Sequence, residues 1–167
     1  FFADELDVDL PQTYAVGQLF LPRDDEARAE LRALVADVLA DEGLDCLHWR
    51  EVPTDHEGLG ATALASEPAV YQCFVGPDDD RSSEAFDQSL YVARRAVERA
   101  VAERAEADDD LDADRFYVCS LDRKTVVYKG LLKGDQLSGY YPDLRDERLG
   151  STFALVHARF STNTLGA

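Results

Sequence analysis

The run Tyr14-Ala15-Val16-Gly17-Gln18-Leu19-Phe20-Leu21, closed by Pro22, decides how the rest of this 167-residue chain is read. It is rich in β-forming residues and stops at a proline, which cannot donate to a sheet ladder, so it predicts a strand. Gly17 inside it predicts a bulge or the close approach of another element. Asp24 follows as a helix cap, with Ala27, Leu31, Leu34, Val35 and Val38 at helical spacing and Gly43 placed to end the helix. The other face of that helix carries Glu30, Arg32 and Asp37. Cys46 to Val52, stopped by Pro53, predicts a second strand, and Ala69 to Val75, after Pro68, a third. Ser82 or Ser83 caps a long helix with Phe86, Leu90, Ala93, Val97 and Val101 on one face and an Arg94–Glu98 pair on its flank. Phe116 to Leu121 is a fourth strand. The order strand, helix, strand, strand, helix, strand places residues 14–121 in the α+β class, as a ferredoxin-like βαββαβ arrangement with two helices on one face of a sheet.

Around this frame the remaining stretches read as connections and one further pair of strands. Phe1 to Gln12 is an acidic connector interrupted by Pro11, and Thr54 to Ser66 is a Gly- and Ala-rich loop. His48 and His56, with Asp55 and Glu57, match no standard metal spacing and read as strand and loop histidines. Asp78-Asp79-Asp80 is an exposed turn, and a second acidic connector follows the long helix. Phe116 to Leu121 and Thr125 to Leu132, joined by Asp122-Arg123-Lys124, predict a β-hairpin. One or two helical turns over residues 135–140 stop at Pro142, and Arg145 to Gly150 is a charged loop. Phe153 to Val156 predicts a last strand that passes without a turn into a polar end, His157-Ala158-Arg159-Phe160-Ser161-Thr162-Asn163-Thr164.

Composition excludes several function classes. With 34 acidic and 17 basic residues the chain carries a formal charge of −17, a surface that repels nucleic acid and anionic membranes. The acids are spread over loops and helix faces, which predicts solvation in a salt-adapted protein; the alternative is a docking face for a basic partner. Cys46, Cys73 and Cys119 are odd in number, each within an apolar stretch and none in a CxxC spacing, so they read as buried thiols in a reducing cytoplasm. No apolar run is long enough for a membrane helix and no signal peptide is visible. The chain contains no Met and opens on Phe1-Phe2, which reads as a single domain segment taken from a longer protein.

Arg159 concentrates the chemistry of the polar end, because its planar fork fits a carboxylate bidentately. Such a charge-assisted pair is worth roughly 1.5–3 kcal/mol when sheltered from water. The stretch "LVHARFSTNT" resembles the HxRFSTNT signature of the glutaminase domain, a class II glutamine amidotransferase, of the glutamate synthase large subunit. "YAVGQLFLP" from Tyr14, "WREVPT" from Trp49 and "FYVCSL" with "VVYKGLL" from Phe116 resemble the same domain in the same order. The resemblance spans nearly the whole chain.

That resemblance implies an N-terminal nucleophile hydrolase, a four-layer αββα sandwich to which the hairpin and last strand would belong. It implies glutamine as substrate, with Arg159 on its α-carboxylate, Thr162 lining the pocket, Ser161 and Asn163 supporting the turn, and His157 as structural support. The family's nucleophile is an N-terminal Cys in a Cys-Gly-x-Gly opening, with its own α-amino group as base, and its oxyanion hole lies in a His-Asn-Gly-Glu motif. Neither motif occurs in residues 1–167. The expectation is therefore a partial amidotransferase domain, inactive by itself, whose parent passes ammonia to downstream synthase domains for reductive amination of 2-oxoglutarate to glutamate. FMN and an iron–sulfur cluster would lie elsewhere in that parent, with electrons from an NADPH-linked small subunit or from ferredoxin. The competing expectations are another class II amidotransferase, such as a phosphoribosyl or sugar-phosphate enzyme, and a non-catalytic ferredoxin-like binding or regulatory module.

Overall fold

Four strands, β1 (Ala15–Leu21), β2 (Leu44–Glu51), β3 (Ala69–Pro77) and β4 (Tyr117–Asp122), pair into one antiparallel sheet in the spatial order β2-β3-β1-β4. The computed structural model describes residues 1–108 and 111–157. The strand order is the one the ferredoxin-like reading requires, with the first strand central and the last at an edge. The fold is therefore α+β, as expected. Two long helices, α2 (Asp25–Asp41) and α4 (Ser83–Ala107), pack on each other and on the sheet. Their ends lie where the sequence places them. The Asp24 carboxylate accepts from the N–H of Ala27, the Ser82 hydroxyl from that of Ala85, and Gly43 turns out of α2 with a φ of +70°.

Alternation along the strands gives the sheet two different faces. Leu19, Cys73, Val75 and Val118 meet Leu39 and Leu90 in an apolar core beneath the helices. A glycine is required at position 17 on this face, since a Cβ there would lie 2.4 Å from Cys73 Sγ. The bulge falls one step further on, where the β1–β4 register shifts between Gln18 and Leu19. The other face is covered too, by the start of the chain and by residues of the 128–141 stretch. Residues 2–6, expected as connector, form a short helix α1 (Phe2–Leu6) that sets Phe2 edge-on to Phe74. Thr54 to Ser66, expected as loop, contains α3 (Ala61–Ser66), and a single turn α5 (Leu137–Tyr140) runs into a 3₁₀ turn at Pro142–Arg145. Tyr140 and Tyr141 pack there with Val52 and Val70.

Two expected strands are not formed. Thr125 to Leu132 does not pair as the second arm of a hairpin, because side chains take the turn's donors. The Asp122 carboxylate accepts from the N–H groups of Lys124 and Thr125, and the Ser120 hydroxyl takes that of Val127. The segment instead turns Tyr128 inward against the sheet. Phe153 to Val156 is irregular and solvent-facing, with Phe153, Leu155 and Val156 exposed by 72, 91 and 74%. No strand edge lies against them among the described residues, and β propensity without a pairing surface does not make a strand.

Candidate functional site

Buried charge is rare unless it is paired, so the polar residues inside this molecule mark its most constrained site. Five of them meet on the face of the sheet away from α2 and α4. Gln18 and Gln72 stand opposite each other in the β1–β3 register, and the Gln72 amide donates to the Gln18 side-chain carbonyl at 2.9 Å. Arg50 of β2 donates to Gln72 at 3.0 Å and, with both arms of its fork, to Asp143 at 2.7 and 2.8 Å. The Tyr128 hydroxyl donates to Asp143 at 2.8 Å and lies 3.1 Å from Nε2 of Gln72. Burial opposes the Arg50 charge, but its bonds to Asp143 outweigh that and leave the guanidinium above its ordinary pKa. Burial, aided by the Asp143 carboxylate, drives the Tyr128 phenol upward. Tyr128 is thus a neutral donor and Arg50 a fixed cation.

A second carboxylate, Glu67, is held beside this layer. It accepts from Arg23 at 2.5 Å and from the Tyr140 hydroxyl at 2.6 Å, and its oxygen lies 3.0 Å from His56 Nδ1. Glu67 and Tyr140 also line a cleft of about 390 Å³ walled by Phe20, Phe116, Tyr117 and Leu131, with Lys129 at 3.9 Å from the Tyr117 ring centroid. Cleft volumes of a few hundred Å³ with apolar walls and few polar groups suit small ligands or inserted side chains. Among the described residues no group of three or more His, Cys, Asp or Glu side chains is placed to hold a metal, and no helix is long and apolar enough to cross a membrane.

The residues singled out by sequence lie apart from this layer. Arg159, Ser161, Thr162 and Asn163 fall outside the described residues. His157 is described and exposed at the end of the 153–157 run. The three thiols are all free. Burial pushes Cys46 up to about 11 and Cys119 up to about 12, and raises Cys73 further, so none is a thiolate near neutrality. The Arg50 network escaped the sequence reading although its signals were present. A cation in the strand "CLHWREV" and a glutamine in the middle of each of two apolar strands are residues a sheet buries only when they meet partners.

The amino-acid sequence has relatives among known proteins. Residues 2–167 match the family model described as glutamine amidotransferases class-II. The chain is 39% identical over 149 residues to the chloroplastic ferredoxin-dependent glutamate synthase of Oryza sativa subsp. japonica, covering 89% of this chain and 9% of that protein. It is 40% identical over 151 residues to the glutamate synthase [NADPH] large chain of Azospirillum brasilense, covering 90% of this chain and 10% of that one. The corresponding chain of Bacillus subtilis (strain 168) is 38% identical over 168 residues, 98% of this chain and 10% of its own length. The chain thus spans about a tenth of the length of the curated relatives it matches.

Proposed function

This chain belongs to the class-II glutamine amidotransferases, and on that premise we propose that it forms part of the glutamine-hydrolysing domain of a glutamate synthase. The observation that carries the proposal is the family match over residues 2–167 together with identities of 38–40% to glutamate synthase chains of both donor types. Glutamine is the substrate. Arg159 holds its α-carboxylate, Thr162 lines the pocket, Ser161 and Asn163 brace the turn, and His157 supports the approach to it. The nucleophile is the family's N-terminal cysteine, acting with its own α-amino group, because the amine's ordinary pKa of about 7.7–8.0 suits it to take a thiol proton near neutrality. Cys46, Cys73 and Cys119 do not suit that role, because burial, partial at Cys46, raises each thiol above its ordinary range and none lies at the start of a chain. Thiolate attack on the side-chain amide releases ammonia, and water then frees glutamate from the acyl-enzyme. Residues 1–167 supply the frame and the substrate grip of this domain, without the nucleophile and oxyanion motifs.

The parent delivers ammonia to synthase domains that aminate 2-oxoglutarate, with FMN, an iron–sulfur cluster and electrons from an NADPH-linked subunit or ferredoxin. The described cysteines do not fit an iron–sulfur cluster: they sit on three different strands, Cys73 and Cys119 buried and Cys46 half-buried, and burial raises all three thiols. An iron–sulfur cluster would therefore take its ligands from other parts of the parent, where the proposal also puts FMN. The charge of −17 and the free thiols support a salt-adapted, cytoplasmic protein. A midpoint of unfolding that rises with KCl is expected, and a flat response overturns the salt reading. The ferredoxin-like module, the rival reading, is disfavoured by the covered second face. Residues 128–143 bury Gln18, Gln72 and Arg50, so the 14–121 unit is not closed alone.

The test is Arg159→Lys in the complete enzyme. A carboxylate grip binds ground and transition states alike, so KM for glutamine rises by about tenfold or more with kcat nearly unchanged. An unchanged KM refutes the assignment.

A further inference from the structure

Charged side chains tie the stretch that leads to Arg159 to the rest of the fold at two places. Asp143 is held by the Arg50 fork and by the Tyr128 hydroxyl. Arg148 donates to Glu5 of α1 and, at 2.6 Å, to Asp146. The two ties converge on α1 and its cap residue Phe1. Glu5 lies 3.8 Å from the Arg50 guanidinium, and Arg50 and Arg148 stand over the Phe1 ring at 5.7 and 5.6 Å. Phe2, its ring centroid 5.3 Å from that of Phe74, fixes α1 to the sheet. One carboxylate and one ring thus serve two guanidiniums, one buried on β2 and one at the surface. Stability does not account for the surface half, because an exposed ion pair contributes little to folding and a helix of five residues is marginal by itself. What the contact fixes is a position. Past Arg148, residues 149–157 form no helix or strand, and their hydrogen bonds among the described residues are local: the Leu149 N–H to the Asp146 carbonyl, the Gly150 N–H to the Arg148 carbonyl, and the Ser151 hydroxyl to the Phe153 carbonyl.

We propose that Glu5 and Arg148 are positioning residues for glutamine binding: they clamp residues 143–148 to α1 and the sheet, and so set where the chain that bears Arg159 departs. The inference rests on the reading that Arg159 holds the α-carboxylate of glutamine. A guanidinium fork takes a carboxylate bidentately only in a narrow range of distance and angle, so a displaced root weakens the grip. That grip binds ground and transition states alike. Opening the clamp therefore weakens substrate binding and leaves the chemical step nearly unchanged.

Glutaminase kinetics of the full-length protein test this. Glu5→Gln and Arg148→Gln are each expected to raise KM for glutamine about threefold or more, with kcat within about twofold and Tm within about 2 °C of the natural protein. Both variants break the same contact, so the double variant raises KM no further than the larger single effect. Arg148→Lys keeps the charge and restores most of the affinity. Arg145→Gln is the control: Arg145 lies on the same turn but donates to the Gly139 carbonyl at 3.3 Å, and its loss leaves KM unchanged. An unchanged KM in both single variants overturns the inference, and so do single effects that multiply in the double variant or an equal rise in Arg145→Gln. Ammonia release by the unsubstituted protein separates the readings. No release from glutamine defeats the functional assignment and the clamp together, and release with a KM indifferent to Glu5→Gln and Arg148→Gln defeats the clamp alone.

Discussion

Replacing Arg50 with Met keeps most of the side-chain volume and deletes the fork that joins β2 to the loop carrying Asp143. In the folded protein the two side chains are 7% and 4% exposed, bonded at 2.7 and 2.8 Å, with Gln72 as a third partner. After the substitution the Asp143 carboxylate retains the Tyr128 hydroxyl and loses its only close cation among the described residues; Glu5 likewise loses Arg50, at 3.8 Å, but keeps Arg148. Removing one partner of a buried ion pair costs about 3–5 kcal/mol, because the other charge stays out of water uncompensated. For a chain of this size each kcal/mol moves Tm by roughly 2–4 °C, so the expected fall is about 6–20 °C. Thermal unfolding followed by circular dichroism at pH 7 measures it, with Arg95→Met as control, since Arg95 pairs with Glu98 on the solvent side of α4. The control is expected to move stability by about 0.5 kcal/mol or less. Arg50→Met/Asp143→Leu removes both charges and recovers part of the loss. If Arg50→Met shifts Tm no more than Arg95→Met does, the pair is not an interior anchor and the reasoning fails.

Two further outcomes follow from particular contacts. Gly17→Ala places a Cβ 2.4 Å from Cys73 Sγ and 3.2 Å from Leu121 and Leu19, so a loss of about 1–3 kcal/mol is expected by chemical denaturation. Adding Cys73→Ala to that variant removes the clashing sulfur and should restore part of the loss; a neutral Gly17→Ala refutes the tight approach. Asp87 accepts two hydrogen bonds from Arg123, which hold its carboxyl below the usual carboxylate range. The folded state therefore binds this proton less readily than the unfolded one. Its contribution is present above about pH 4, the unfolded value, and is lost as pH falls through the lower folded value. The stability gap between the natural protein and Asp87→Asn should narrow from pH 6 toward pH 2, and a constant gap contradicts the pairing.

Residues whose roles are local were readable in advance. Asp24, Gly43 and Ser82 act through neighbours three or four positions away, and each ends its helix where the sequence places it. The strand order followed from the alternation of elements. The 125–132 arm was misread because its pairing depends on a competition that strand propensity does not register. Asp122 and Ser120 offered nearer acceptors, and Tyr128 gained more by reaching Gln72 and Asp143. Arg50 and Asp143 are 93 positions apart, and nothing local in either stretch names the other. Of the candidate site, the motif around Arg159 was legible only as a resemblance, whereas the polar layer needed three strands to be brought together.

The Gln18–Gln72 pair gives the sheet a means of rejecting its own misalignments. Apolar side chains on either strand are nearly interchangeable, so packing alone would tolerate β1 sliding along β3 by two residues. Such a slide would set Gln18 against Val70 or Phe74 and strand both amides in an apolar layer, at about 1–3 kcal/mol for each unpaired group. Among these alignments only the observed one joins the two amides, Gln72 donating to the Gln18 carbonyl while Gln18 Nε2 finds no partner among the described residues, and still leaves Gln72 in reach of Arg50 and Tyr128. Two amides in the middle of the sheet thus proofread the pairing of its two central strands.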